Sequence, residues 1–328
     1  MDTNGLLLVE GKGGVADIAA PPSSIFIASL ALIAAVGAGI CGLDLNQPFA
    51  TFAACSAILL FGLPHGTLDL ELLRGGKQRR NETLPVLILM YLSLAMGTYW
   101  VWSVSPVLSL FAFLVIAIGH FAEDWHECSS PLLCSSIALA TLAAPVIGHR
   151  GDIMSLFVKL TGQPEAAFIA EMLVLIAPVA LVAGGVGCID LLRNGHSGTA
   201  VSGMISIFAM LLLPPLVGFA IFFCLIHSPK HLRANVQQVL HRSAARLQMT
   251  HIAITIVAIS AAALGITMLV FALQAHGNIA DRLFGATFLT LSILTVPHIL
   301  MPMLVSNRGR LRMAAWLPHT VATTYRET

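Results

Sequence analysis

Four places along the chain put histidine into or beside an apolar run: "GLPHGTLD" with His65 and Asp69, "GHFAEDW" with His120 and Asp124, "IHSPKH" with His227 and His231, and "VPHILMP" with His298. An ionisable ring is costly to bury in lipid, and its usual return is a functional site. Residues four apart share one helix face, so His227 and His231 can turn both rings toward a single metal ion. The same step links His65 to Asp69 and His120 to Asp124. That pairing suits a ring ligand whose second nitrogen is oriented by a carboxylate. A shell of imidazoles is neutral and does not offset a divalent charge, whereas Asp69, Glu123 and Asp124 can. Imidazole suits iron, copper, zinc or nickel, and spacing does not choose among them. A redox-active ion that binds dioxygen is the natural occupant of an apolar pocket with no base–nucleophile pair.

The elements that must carry these residues are membrane helices. The chain has 328 residues, 57% hydrophobic and 10% charged, with a mean hydropathy of +0.87. A soluble domain needs about 25% charged residues to solvate its surface. This composition excludes a soluble globular enzyme, a nucleic-acid binder and a disordered tail protein. The net charge of +1 offers no general attraction to acidic partners. The fold class expected is all-α, a polytopic membrane bundle. Apolar runs at 24–43, 50–70, 84–103, 107–122, 131–147, 166–187, 199–215, 216–233, 250–273 and 284–305 predict about ten crossings, or eight if two short runs re-enter. The stretch 199–233 reads either as one helix kinked at Pro214-Pro215 or as two helices.

Basic residues arbitrate. With two crossings in 199–233, 14 of the 17 Lys and Arg fall on the side of the N-terminus, leaving Arg150, Lys159 and Arg282 opposite. With one crossing the split is 7 against 10 and the bias that orients membrane proteins is lost. The expectation is therefore a multi-pass protein of the inner (plasma) membrane with both termini cytoplasmic: a tail at 1–22, a membrane catalytic domain at 23–305 and a tail at 306–328. The same parity sets His65, His120, His231 and His298 at the cytoplasmic ends of their spans, where they can converge. His65 precedes Arg74 by nine residues and His298 precedes Arg308 by ten, so continuous helices would sink the site roughly 14–15 Å, about half of the ~30 Å hydrocarbon core. His126, His149, His196, His241, His251, His276 and His319 fall in or next to loops and span ends and are assigned solvated or interfacial roles. Six scattered cysteines form no CxxC pair. "GKGG" at 11–14 and "GGVG" at 184–187 lack the strand–helix setting of a phosphate loop.

The succession "PHGTLD", "GHFAED", "HSPKH", "PH" in a polytopic chain of this length resembles the Brp/Blh family of membrane carotenoid oxygenases, from about residue 50 to 305. The resemblance implies a non-haem Fe(II) held by His65, His120, His227 and His231, which cleaves the central double bond of β-carotene with dioxygen into two molecules of all-trans-retinal. It implies supporting roles for Asp69, Glu123, Asp124 and His298, the last as a hydrogen-bond donor or as channel lining. Glu123 and Asp124 compete for one such role. It makes Phe121, Trp125, Phe222 and Phe223, which flank the ligands, the expected wall of the substrate tunnel. A retinal-binding rhodopsin is the implied functional partner. Alternatives of other kinds are a di-iron oxidase, a haem b protein with porphyrin-clamping histidines, and a metal or proton transporter. The first needs more histidine boxes than "HSPKH" supplies. Transport asks for polar residues reaching both faces, and here they cluster at one end.

Overall fold

A computed structural model describes residues 22–74, 84–242, 247–274 and 277–305. The expected tails fall almost wholly outside the described residues, as do His276 and His319. All the described regular structure is helical. In chain order the α-helices are α1 (Pro22–Ile40), α2 (Pro48–Ala57), α3 (Asp69–Arg74), α4 (Leu84–Val104), α5 (Pro106–Ala122), α6 (Pro131–Ala143), α7 (Pro145–Thr161), α8 (Ala167–Arg193), α9 (Ser197–Leu212), α10 (Pro215–Phe222), α11 (Ser228–Arg242), α12 (Leu247–Leu273) and α13 (Ile279–Val305). Helices α2, α5, α6, α7 and α10 carry proline in the first turn. There the missing N–H has no intrahelical acceptor to lose and the fixed φ suits the helix. The outward faces of α1, α4, α8 and α12 expose large apolar side chains such as Ile33, Leu89, Val179 and Val257. Such wide apolar faces suit a lipid surrounding.

Among the described residues, seven helices are long and apolar enough to cross a bilayer, or eight if the bent pair α6 and α7 is one span. The lower figure of eight is met with the bent pair, and about ten is reached only if the two shorter apolar helices, Pro48–Gly62 and Ser197–Leu212, also cross. The run 131–147 is not a straight crossing: α6 meets α7 at a 56° bend where Pro145 follows Ala144. The run 50–70 breaks into α2, a π turn over Ile58–Gly62, a 3-10 turn over Leu63–Gly66 and then α3. Its apolar helical part, Pro48–Gly62, is short, as is α9. At Pro214 the chain reverses. Leu213 and Pro214 are extended (ψ 157° and 140°), and a Cβ on Gly218 of α10 would lie 2.6 Å from the Ala209 carbonyl of α9. Residues 209 and 218 are nearly equidistant from that turn, as in an antiparallel hairpin, so 199–233 is not one kinked helix but reverses at Pro214. His149 sits inside α7, at a backbone break (φ −131°, ψ 37°), facing Asp152 at 3.4 Å.

Two wide turns interrupt the helices around the histidines. The π turn Ile58–Gly62 faces a second π turn, Phe223–His227, which joins α10 to α11. Widening a helix to the i→i+5 pattern shifts the phase of every later side chain and leaves carbonyls to be satisfied from outside. Here the hydroxyl of buried Ser228 donates to the Phe61 carbonyl at 2.7 Å, with the Gly62 carbonyl at 3.2 Å. Gly62 lies so close to the Phe223 ring that no side chain fits there.

Candidate metal centre

Helix α5 brings His120 inward in its last turn and gives way at Glu123–Trp125 to a 3-10 turn. That tighter winding departs from the 100° helical step, and it buries Asp124 to 1% exposure. The two oxygens of Asp124 are divided between two rings: Nδ1 of His227 donates to Oδ2 at 2.7 Å, and Nε2 of His231 donates to Oδ1 at 3.1 Å. His227 closes the π turn and is fully buried, while His231 lies in the first turn of α11. From α13, His298 donates through Nδ1 to Oδ2 of Asp69 at 2.5 Å. His120 is the hub of this arrangement. Its ring centroid lies 4.9 Å from that of His227, 5.3 Å from His231 and 5.1 Å from His298, and His227 and His231 are 4.5 Å apart.

Residues drawn from 69 to 298 thus meet in one buried cluster. Asp124, however, serves His227 and His231, not the His120 its spacing suggests, and Asp69 reaches His298 of α13. Pairing Asp69 with His65 and Asp124 with His120 assumes continuous helix. Both intervals are interrupted by 3-10 turns, and each carboxylate reaches a histidine on another element. The same break removes the depth estimate for His65, since no single helix runs from it to Arg74. The backbone of His65 lies in the turn Leu63–Gly66, and its side chain lies outside the described residues. The turn itself borders the cluster: a Cβ on Gly66 would sit 3.3 Å from Nδ1 of His298. Between the two competing acids, it is Asp124 that holds the rings, while the Glu123 carbonyl faces Nδ1 of His126 at 3.0 Å.

The donor set fits a divalent metal. A neutral histidine that gives its Nδ1–H to a carboxylate keeps its lone pair on Nε2, and this applies to His227 and His298. Donor atoms of Asp124, His227 and His231 lie within 4.8 Å of one another. Asp69 and Asp124 place negative charge directly behind neutral rings, which offsets an ion in a low-dielectric setting.

The aromatic side chains divide into two groups. Phe121 meets His227 edge-on at 4.8 Å and Phe223 stacks on the same ring at 5.3 Å. Trp125 and Phe222 stack on each other at 6.2 Å, with Trp125 against Gly203 of α9, and Phe222 also meets Phe121 at 4.9 Å and the His227 ring at 6.0 Å. They back the site. Two residues within "HSPKH" carry structural roles that the motif does not announce. Besides Ser228, buried Lys230 donates its ammonium to the Asp124 carbonyl and pins the 3-10 turn. A lysine in the middle of a histidine pair is the available signal, and it reads equally as a basic loop residue.

The sequence model of the beta-carotene 15,15'-dioxygenase family matches residues 56–305, which contain every residue of this cluster. The chain belongs to that family. A similar protein, named Beta-carotene 15,15'-dioxygenase, comes from the uncultured marine bacterium 66A03; it is 28% identical over 263 residues, covering 76% of this chain and 92% of its own. No solved structure matches. The family assignment and the multi-pass helical architecture agree with what the histidine fragments imply.

Proposed function

We propose that this protein cleaves the central double bond of β-carotene with dioxygen, yielding two molecules of all-trans-retinal, at an iron held by His65, His120, His227 and His231. The observation that supports the reading is the convergence of the His120, His227, His231 and His298 rings, two of them oriented by one buried carboxylate, with the backbone turn that holds His65 alongside, in a member of this family. Bound Fe(II) would supply the activation of dioxygen. Asp124 fixes the planes of His227 and His231, and Asp69 fixes that of His298. Phe121 and Phe223 cover the inner face of the cluster and exclude water from it. The substrate is a hydrocarbon with no polar handle, so recognition falls to apolar contact at roughly 25 cal/mol per Å² buried. Splitting one C=C bond with one O2 gives two aldehydes and consumes no reductant. With the short apolar helices α2 and α9 counted as crossings, the charge bias supports an orientation with both termini and the histidine cluster toward the cytoplasmic side of the plasma membrane.

Expression in a β-carotene-accumulating bacterium tests the activity. Loss of colour with appearance of retinal is expected, and absence of retinal from a confirmed, metal-loaded membrane protein would overturn it. In the same host, His231→Ala should insert normally yet lose bound iron and activity together.

A further inference from the structure

The helices that bring His120, His227 and His298 together also share an apolar chamber. Its cavity volume is about 90 Å³, several times the ~10–15 Å³ that a single water occupies. Its wall includes Leu110 and Phe121 of α5, Phe219 of α10, Phe284 and Phe288 of α13, and Leu160 of α7. Leu110 precedes His120 by ten residues, and Phe288 and Phe284 precede His298 by ten and fourteen. At ~1.5 Å per residue the chamber therefore runs roughly 15–21 Å along these helices away from the histidines.

A series of rings connects its two ends. Phe121 lies against His227 at the inner end. Phe219 stacks on Phe223 at 5.2 Å, and Phe223 stacks on His227. Phe219 then meets Phe288 at 5.5 Å, and Phe288 meets Phe284 at 4.9 Å. Beyond Phe284 and Leu160, Lys159 Nζ of α7 donates to Asp281 Oδ1 of α13 at 2.8 Å and ties the two helices together at that end.

We propose that this chamber takes one arm of the polyene and that Phe284 with Leu160 forms the stop against which the end of that arm rests. The distance from stop to histidines then selects which double bond is cut. This inference rests on the proposed carotene cleavage. Its physical ground is that a hydrocarbon offers no hydrogen bond by which its position along a smooth apolar bore could be registered, so only a steric stop defines that position. With the stop at half the length of a symmetric substrate, the products are two identical aldehydes. A deeper chamber shifts the cut outward and gives one longer and one shorter aldehyde, each cut still consuming one O2 and leaving one oxygen atom on each carbon.

The test uses the full-length protein in detergent, iron-loaded for products and metal-free for binding. Phe284→Ala, or the milder Phe284→Leu, should divert about a tenth or more of the product into an unequal aldehyde pair, since an apolar pocket discriminates by only ~10–200-fold per methylene. Leu160→Trp should weaken β-carotene binding to the metal-free protein, read from the shift of the carotenoid's visible band, about tenfold through overpacking. Folded, iron-loaded variants that yield retinal alone and bind β-carotene as the wild type does would overturn the stop. Absence of retinal from the wild type would instead count against the parent reading, and the metal-free binding comparison would still decide the stop.

Discussion

The histidine cluster and the α6–α8 pair are both buried, and they are built in opposite ways. Along α6 and α8 the helices are unbroken and contact is made by removing side chains. A Cβ on Gly184 would lie 2.5 Å from Cβ of Ala140, and one on Gly187 would lie 3.0 Å from the Leu133 carbonyl and 2.8 Å from Cγ1 of Ile137. Small residues at membrane helix interfaces let backbones approach, and dispersion then does the rest. At the cluster the helices are broken by two π turns and two 3-10 turns, and contact is made by polar side chains reaching across the gaps. A regular helix spreads its side chains at fixed angles. Aiming four rings at one point from different directions requires irregular turns to reset those angles.

The sharpest way to separate the two designs is to overfill the first. Gly187→Leu should cost about 3 kcal/mol, at the upper end of overpacking penalties, and lower the thermal midpoint in detergent. Iron content and turnover per folded molecule should stay near wild type. A Gly187→Leu protein of unchanged stability would show that α6 and α8 are not close-packed through their glycines.

The converse substitution is Asp124→Asn. It preserves volume but replaces one accepting oxygen with a donor that opposes a ring N–H. Substitutions behind metal ligands cost ~10–100-fold in metal affinity or activity. The upper end is expected here, because one carboxylate serves both His227 and His231. Iron stoichiometry against added chelator should fall with activity, while the thermal midpoint of the metal-free protein moves less than in Gly187→Leu. Equal iron retention with lost activity would assign Asp124 some other role.

This contrast also explains what the residues alone can reveal. Helical class and membrane residence follow from composition, and the reversal at Pro214 follows from loop charge, because these depend on sums over many residues. Four histidine fragments can be recognised as members of one site because each marks the end of an apolar run. The partner of each carboxylate cannot be read, since the i,i+4 rule holds only where the helix is intact and the chain breaks at Leu63–Gly66 and at Glu123–Trp125. Crossing counts suffer for a related reason: hydropathy does not register the 56° bend at Pro145 or the shortening of α2 by a π turn. Trp125 and Phe222 flank the ligands in sequence yet do not line the chamber, while Phe284 and Phe288, remote in sequence from any histidine motif except through α13, do.

The smallest change tests whether irregularity itself is held in place for function. Ser228 follows His227 directly, and its hydroxyl is the link from the second π turn to the Phe61 and Gly62 carbonyls of the first. Ser228→Ala removes that donor without adding volume, and the expected stability loss is about 1 kcal/mol, the net worth of an ordinary hydrogen bond. If the link served packing alone, activity of the folded protein would be unaffected. If it holds the two π turns in register, the ring of His227 loses its fixed approach to His120, and turnover should drop several-fold while β-carotene affinity is retained. A fall in kcat with constant KM, measured beside Gly187→Leu as the purely structural control, distinguishes the two outcomes, and an unchanged kcat would confine the role of Ser228 to stability.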